Sequence, residues 1–281
     1  MDIFFIILVI ILNCFSNLFI VAESAPEPPE ILFFLEPSII FGFNLSAFVI
    51  DKIIASFTLE DLSLHLDDKV YASIVYRTGK RKGRFTDLLE FSDRLGSNGK
   101  VAYARQIHSN RVVSVDAPGL VGECDGLISD SPNVVLAIQV ADCLPIFLIA
   151  PDVSAIGLVH AGWRGTVASI AREAVRKLKE DFDVDPGSLS CFIGPSIHTC
   201  CYTVGREVMD KFQPDHLTEN EPNHYNLDLI SANSAQLSEA GVAAEKIIVD
   251  KRCTHCSESG LHSYRRHGDR AGRNVCFLNL K

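Results

Sequence analysis

Three apolar runs close together set the pattern of the chain. Residues 133–140 are almost continuously apolar, the kind of strand that is covered on both faces. Residues 146–150 and 155–159 follow as two short apolar runs separated by a Pro151-Asp152 turn signal, and they predict adjacent buried strands. The pattern then changes period. Over 167–182, Val167, Ile170, Ala171, Ala174, Val175, Leu178 and Phe182 form one stripe, with Arg172, Arg176 and Lys179 opposite, which predicts an amphipathic helix ended by Pro186-Gly187. The glycine-bearing stretch 161–166 leads into it, with Thr166 as the expected N-cap. Further strands are expected over 71–76, 101–107, 112–115 (paired with 101–107), 190–193, 247–250 and 275–280. Further helices are expected over 85–95, 204–212 and 229–240, the last stopped by Gly241. Strands alternating with helices give an α/β class, layered around a mixed sheet.

The N-terminus follows a different pattern. Residues 3–22 are nearly all apolar and about long enough to cross a bilayer. Small residues follow at Ser24-Ala25, but Asp2 stands where a positive charge is usual, and Asn13, Ser16 and Asn17 interrupt the run. A signal or membrane anchor, a mis-predicted start and a buried segment all fit. The second apolar stretch, 31–50, is broken by Glu36-Pro37 and glycine and is expected to form strands. The expected organisation is a hydrophobic leader (1–24), a proline-rich linker and extension (25–70), and one catalytic domain (71–281).

Composition narrows the function classes. The 281 residues are 47% hydrophobic, enough for a sizeable core, and the net charge of −9 argues against a nucleic-acid surface. Nine cysteines, with Cys200 and Cys201 adjacent, make a poor disulfide framework and suit reduced thiols in the cytoplasm. A real leader would instead direct the chain to the secretory pathway or anchor it through 3–22. The basic stretch Lys80-Arg81-Lys82-Gly83-Arg84 fits a solvated loop.

His108, Cys143 and His160 each stand at the end of an expected buried strand. One thiol and two imidazoles at three strand ends form the donor set of a catalytic metal with an open fourth position. Taken singly, each residue is equally a core or surface residue, and Cys143 with His160 as base would also suit a cysteine hydrolase. Two histidines and one cysteine also suit copper. Met1 and Met209 are the only methionines, however, and no His-x-His pair occurs among the nine histidines, so a laccase-type copper centre is not expected. The loop after His160 opens a helix and is a place for an anion. Cys253-Thr254-His255-Cys256 looks like half a zinc ribbon, but no second cysteine pair at ribbon spacing accompanies it, so structural zinc is not expected there.

Five blocks, taken together, resemble one family. They are Gln106-Ile107-His108-Ser109-Asn110, Ala141-Asp142-Cys143-Leu144-Pro145, His160-Ala161-Gly162-Trp163-Arg164-Gly165, Ile193-Gly194-Pro195-Ser196-Ile197 with Cys200-Cys201-Tyr202-Thr203-Val204, and Ser263-Tyr264-Arg265-Arg266 with Gly272-Arg273. The chain from about Tyr71 onward is similar to the YfiH/laccase-domain family, once called multicopper polyphenol oxidases and now regarded as purine nucleoside-metabolising enzymes. The resemblance implies an α/β/β/α-type sandwich. It also implies a catalytic zinc on His108, Cys143 and His160, phosphorolysis of adenosine, inosine and methylthioadenosine, and deamination of adenosine. A nucleoside and phosphate would then be the partners. Copper is the alternative ion, and a polyphenol oxidoreductase or an inactive binding homologue the alternative function. Arg77, Arg164 and Arg265 are candidates for holding phosphate, and Asp142 and Asp125 for carrying protons, although a regular strand would point Asp142 away from Cys143. The family's Ser-Thr-Arg-x-Gly-Gly block survives only in part, at Val75-Tyr76-Arg77-Thr78-Gly79. Its serine–leucine–asparagine–leucine block is missing and its Asn-Arg is not placed (Arg84 is the nearest guess), which implies an altered substrate pocket.

Overall fold

The computed structural model describes residues 32–35, 39–42, 58–61, 70–76, 100–150, 154–222 and 224–280. The leader 1–24, the linker 25–30, the helix expected over 85–95, the basic stretch 80–84, Arg77 and the Pro151-Asp152 turn lie outside them. The chain forms two units, Met1–Ala55 and Ser56–Lys281. Within the described residues the first is an antiparallel hairpin of β1 (Leu32–Leu35) and β2 (Ile39–Gly42).

In the second unit the elements run β3 (Thr58–Asp61), β4 (Val70–Tyr76), β5 (Val101–Arg105), β6 (Val112–Ser114), β7 (Gly119–Glu123), β8 (Gly126–Ser129), β9 (Val135–Val140), β10 (Leu144–Ala150), β11 (Ala155–Ala161), α1 (Trp163–Val167) and α2 (Ile170–Phe182). They continue as β12 (Ser190–Ile193), β13 (Thr203–Val204), α3 (Arg206–Met209), β14 (Leu217–Glu221), β15 (His224–Leu227), α4 (Leu229–Glu239), β16 (Ile247–Val249), α5 (Tyr264–His267) and β17 (Asn274–Leu280). Two six-stranded mixed sheets result, ordered β16-β12-β10-β11-β8-β6 and β3-β4-β17-β9-β5-β7, with a small sheet β13-β15-β14 beside them.

Alternation along the central hairpin explains the layering. Leu144, Ile146, Leu148 and Ala150 of β10 pack in one cluster with Ile170, Ala174, Val175 and Leu178 of α2. The intervening Phe147 and Ile149 pack with Leu136, Ile138, Cys276 and Leu278 of the other sheet. A strand with period 2 thus builds a helix–sheet core on one face and a sheet–sheet core on the other. The far face of the second sheet carries its own apolar cluster of Val101, Ala137, Val275 and Phe277. This mixed α/β sandwich is the class the patterning predicts.

Several boundaries differ from expectation. The helix starts at Ile170 rather than 167, because Ser169 turns the chain through a left-handed conformation (φ 64°) after the short α1. Thr166 does not cap it. It lies inside α1, its hydroxyl donating to the Gly162 carbonyl at 3.0 Å, and Gly162 takes the N-cap position. Residues 112–114 pair in parallel with β8, not with β5. β5 ends at Arg105 because the Gln106 side chain takes over the pairing. Its amide donates to the Gln139 carbonyl and accepts from the Gln139 N–H, both at 2.8 Å. Only Arg206–Met209 of the helix expected over 204–212 is α-helical.

Candidate metal centre

Hairpin pairing of β10 with β11 sets Leu144 opposite Ala161, so Cys143, just before β10, lies beside the end of β11 and His160. His108 comes from the turn after β5, held at φ 61°, a left-handed conformation rare for a residue with a side chain. Asp125, on the turn before β8, holds that turn in place. Its carboxylate accepts from the N–H groups of Ile107 (3.2 Å), His108 (2.9 Å) and Ser109 (2.7 Å), and from the Ser109 hydroxyl (2.8 Å). It also accepts from His160 Nδ1 at 2.8 Å, while the Asp125 carbonyl takes the His160 N–H at 2.7 Å.

The donor atoms of His108, Cys143 and His160 lie within 4.8 Å of one another. The two imidazoles meet edge to face, centroids 4.9 Å apart. A carboxylate can only accept, so the proton on His160 sits on Nδ1 and Nε2 is left for an ion, the carboxylate–histidine arrangement of metal sites. Burial by itself would push the Cys143 thiol up. The charge of His160 and hydrogen bonds from His108 and His160 outweigh it and bring the thiol down to about 6. Burial would likewise lower His160, but the Cys143 thiolate and the Asp125 hydrogen bond raise it to about 9. Asp125 is held at about 2: burial opposes its charge, but hydrogen bonds from His160 and Ser109 outweigh burial. With five donors around it, Asp125 serves as an anionic anchor.

Close packing shapes the cradle. A Cβ on Gly162 would come within 2.9 Å of Cys143 Sγ, closer than side chains tolerate, and within 3.2 Å of His108 Cδ2, a tight contact. One thiolate and two imidazoles, oriented and already charge-paired, fit a borderline divalent ion such as zinc or copper.

The other predicted residues fall around this cluster. Asp142, buried at φ 87°, sits outside any strand, and both its oxygens are engaged: Oδ1 accepts from the Thr254 hydroxyl and Oδ2 from the Arg265 N–H, each at 2.6 Å. Arg265 also donates to the Thr203 carbonyl at 2.8 Å. Exposed Arg164 stacks over Trp163 at 4.2 Å. Tyr202 links the set and was not singled out from the sequence. Burial pushes its phenol up, the Cys143 and Asp142 charges push it further, and Arg265 and Arg164 pull it back. Arg265 lies 5.3 Å over its ring. The clue was Tyr202's place in the Cys200-Cys201-Tyr202 block. Thr254, the Asp142 partner, carried no such signal.

A two-sheet α/β sandwich that gathers a thiolate and two imidazoles at its strand ends defines a metal-site class of protein. The chain belongs to the family described as multi-copper polyphenol oxidoreductase laccase, which it matches over residues 86–281. It is 40% identical over 164 residues to the purine nucleoside phosphorylase YlmD of Geobacillus stearothermophilus, covering 56% of this chain and 60% of that protein. A Bacillus subtilis protein of the same name is 35% identical over 195 residues (64% of this chain, 70% of that protein). Adenosine deaminase RL5, from an unknown prokaryotic organism, is 32% identical over 195 residues (63% and 74%). Among solved structures, Bacillus licheniformis YfiH superposes with a TM-score of 0.72 at 27% identity, covering 81% of this chain and 97% of that one. Geobacillus YlmD gives 0.71 at 31% identity, covering 76% and 93%. Among the described residues, no helix is long and apolar enough to cross a membrane.

Proposed function

We propose that the chain is a zinc-dependent purine nucleoside phosphorylase, acting on adenosine, inosine and methylthioadenosine, with adenosine deaminase activity. The observation that carries this reading is the convergence of His108, Cys143 and His160 within 4.8 Å, with His160 oriented by Asp125. The names of the relatives supply the substrate class.

In this reading His108 Nε2 or Nδ1, Cys143 Sγ and His160 Nε2 hold the ion. Bound by these three donors, the ion would supply Lewis-acid activation. The chain's own groups do the rest. Asp125 keeps Nδ1 of His160 protonated, so Nε2 stays a donor to the ion. Arg265, over the Tyr202 ring, and Arg164, over Trp163, attract phosphate, with Arg77 as the third proposed cation. In phosphorolysis a phosphate oxygen bonds to the ribosyl carbon as the bond to the purine nitrogen breaks, giving ribose 1-phosphate and free base. Arginines beside the phosphate orient it and balance its charge. In deamination, water adds to the amino-bearing carbon and ammonia leaves. Asp142, with both oxygens occupied, positions the Arg265 backbone. The catalytic domain is taken as 71–281, working in the cytoplasm, where thiols stay reduced.

Cys143→Ala is expected to lose the ion of this site and the phosphate-dependent release of base from adenosine or inosine. Unchanged base release in that variant overturns the metal mechanism. Elemental analysis of the same preparations separates zinc from the copper that the family's description suggests.

A further inference from the structure

A second cluster lies away from the strand ends. Cys200 and Cys201 on one turn and Cys253 and Cys256 on another, two pairs distant in sequence, place all four sulfurs within 4.8 Å of one another, and Cys200 Sγ is 3.6 Å from Cys256 Sγ. All four are free thiols. The second pair that residues 253–256 lack at ribbon spacing is therefore present in space, which corrects the expectation drawn from spacing alone.

We infer that these four cysteines form a closed, structural tetrathiolate site for a zinc-type divalent ion. Four sulfurs bound tetrahedrally at about 2.3 Å from an ion lie about 3.8 Å apart, the scale on which they are already gathered. An all-sulfur tetrahedral set selects zinc or iron over harder ions. The turn 253–256 has the form such sites use. The two cysteine turns are also pre-aligned. Ser196 and Cys253 form an isolated parallel bridge, Thr254 N–H donates to the Ser196 carbonyl at 2.8 Å, and Cys201 N–H donates to the His198 carbonyl at 2.9 Å. On binding, each thiol gives its proton to solvent as its sulfur–metal bond forms.

With four protein donors no position is left open, so the role is a staple. It ties the loop bearing Tyr202 to the loop bearing Thr254, and Thr254 holds Asp142 beside Cys143.

Elemental analysis of the full chain, purified under reducing conditions, is expected to give two zinc ions per chain, and one in Cys143→Ala, which keeps all four cluster cysteines. Cobalt(II) added to metal-free Cys143→Ala is expected to give the intense sulfur-to-cobalt bands of a tetrathiolate, and Cys253→Ser to remove one ion and lower the melting temperature. The cobalt reading needs only Cys143→Ala, so a Cys253→Ser chain that fails to fold does not blunt it. Absence of both zinc and cobalt bands in Cys143→Ala, or a disulfide among these cysteines in freshly isolated protein, overturns the proposal. If wild type and Cys143→Ala each hold one ion, the failure falls on the His108–Cys143–His160 site and the staple stands.

Discussion

The two donor clusters differ in almost every physical respect. One mixes a thiolate with two imidazoles, sits where the ends of sheet strands meet, and is backed by the buried carboxylate of Asp125. The other is all sulfur, sits on two connecting turns with Cys200 and Cys256 exposed, and is backed by backbone hydrogen bonds within and between those turns. Three donors leave an ion a free position and four do not. The first arrangement suits chemistry and the second suits bracing, and the difference lies in the supporting shell as much as in the ligands.

The largest effect that would break this contrast is expected from Asp125→Asn. The amide nitrogen cannot accept, so peptide N–H donors would be left unpaired in a buried place and His160 would lose its orienting partner. Stability is expected to fall by about 3 kcal/mol or more, and metal affinity at the first site by roughly 10–100-fold. Urea unfolding and chelator competition read the two effects, and the four-cysteine ion should survive at moderate urea. Gly162→Ala is expected to act more narrowly. Its methyl would press on Cys143 Sγ and His108, cutting affinity at the first site by about tenfold, roughly 1.4 kcal/mol, with little change in the melting temperature. Arg265→Ala is smaller again: KM for phosphate should rise by about tenfold while both ions stay bound, as phosphate-dependent base release with parallel metal analysis would show. Tyr202→Phe keeps the ring beneath Arg265 and removes only the hydroxyl, so a change of no more than a few-fold in base release is expected.

How much of this was legible in the sequence follows from the same contrast. The β10–β11 hairpin and α2 announce themselves because strands buried on both faces leave short unbroken apolar runs, while a helix buried on one face shows period 3.6. Which of Phe147 and Leu148 meets the helix and which the other sheet is set by tertiary packing. His108, Cys143 and His160 were legible as strand-end donors, although the pattern alone did not bring them together. The misreadings have local causes. Thr166 looks like a cap, but its hydroxyl turns back to Gly162 and receives the Asn233 amide, a contact from α4 that only tertiary packing supplies. The 112–115 strand finds its partner in β8, which begins just after Asp125, the residue that holds the 107–109 turn, and a pairing of that kind leaves no local sequence signal. The four-cysteine cluster was hidden because its halves are about fifty residues apart and join through a one-residue bridge, Ser196 with Cys253. Tyr202 was hidden because a half-buried tyrosine carries no sequence signature of the charges around it.

The most direct test of the central claim is an anomalous difference map from crystals of the full chain, measured on either side of the zinc absorption edge. A peak within bonding distance of Cys143 Sγ and of one ring nitrogen each of His108 and His160 is the predicted result. No peak there, from protein that still releases purine base with phosphate, would contradict the account.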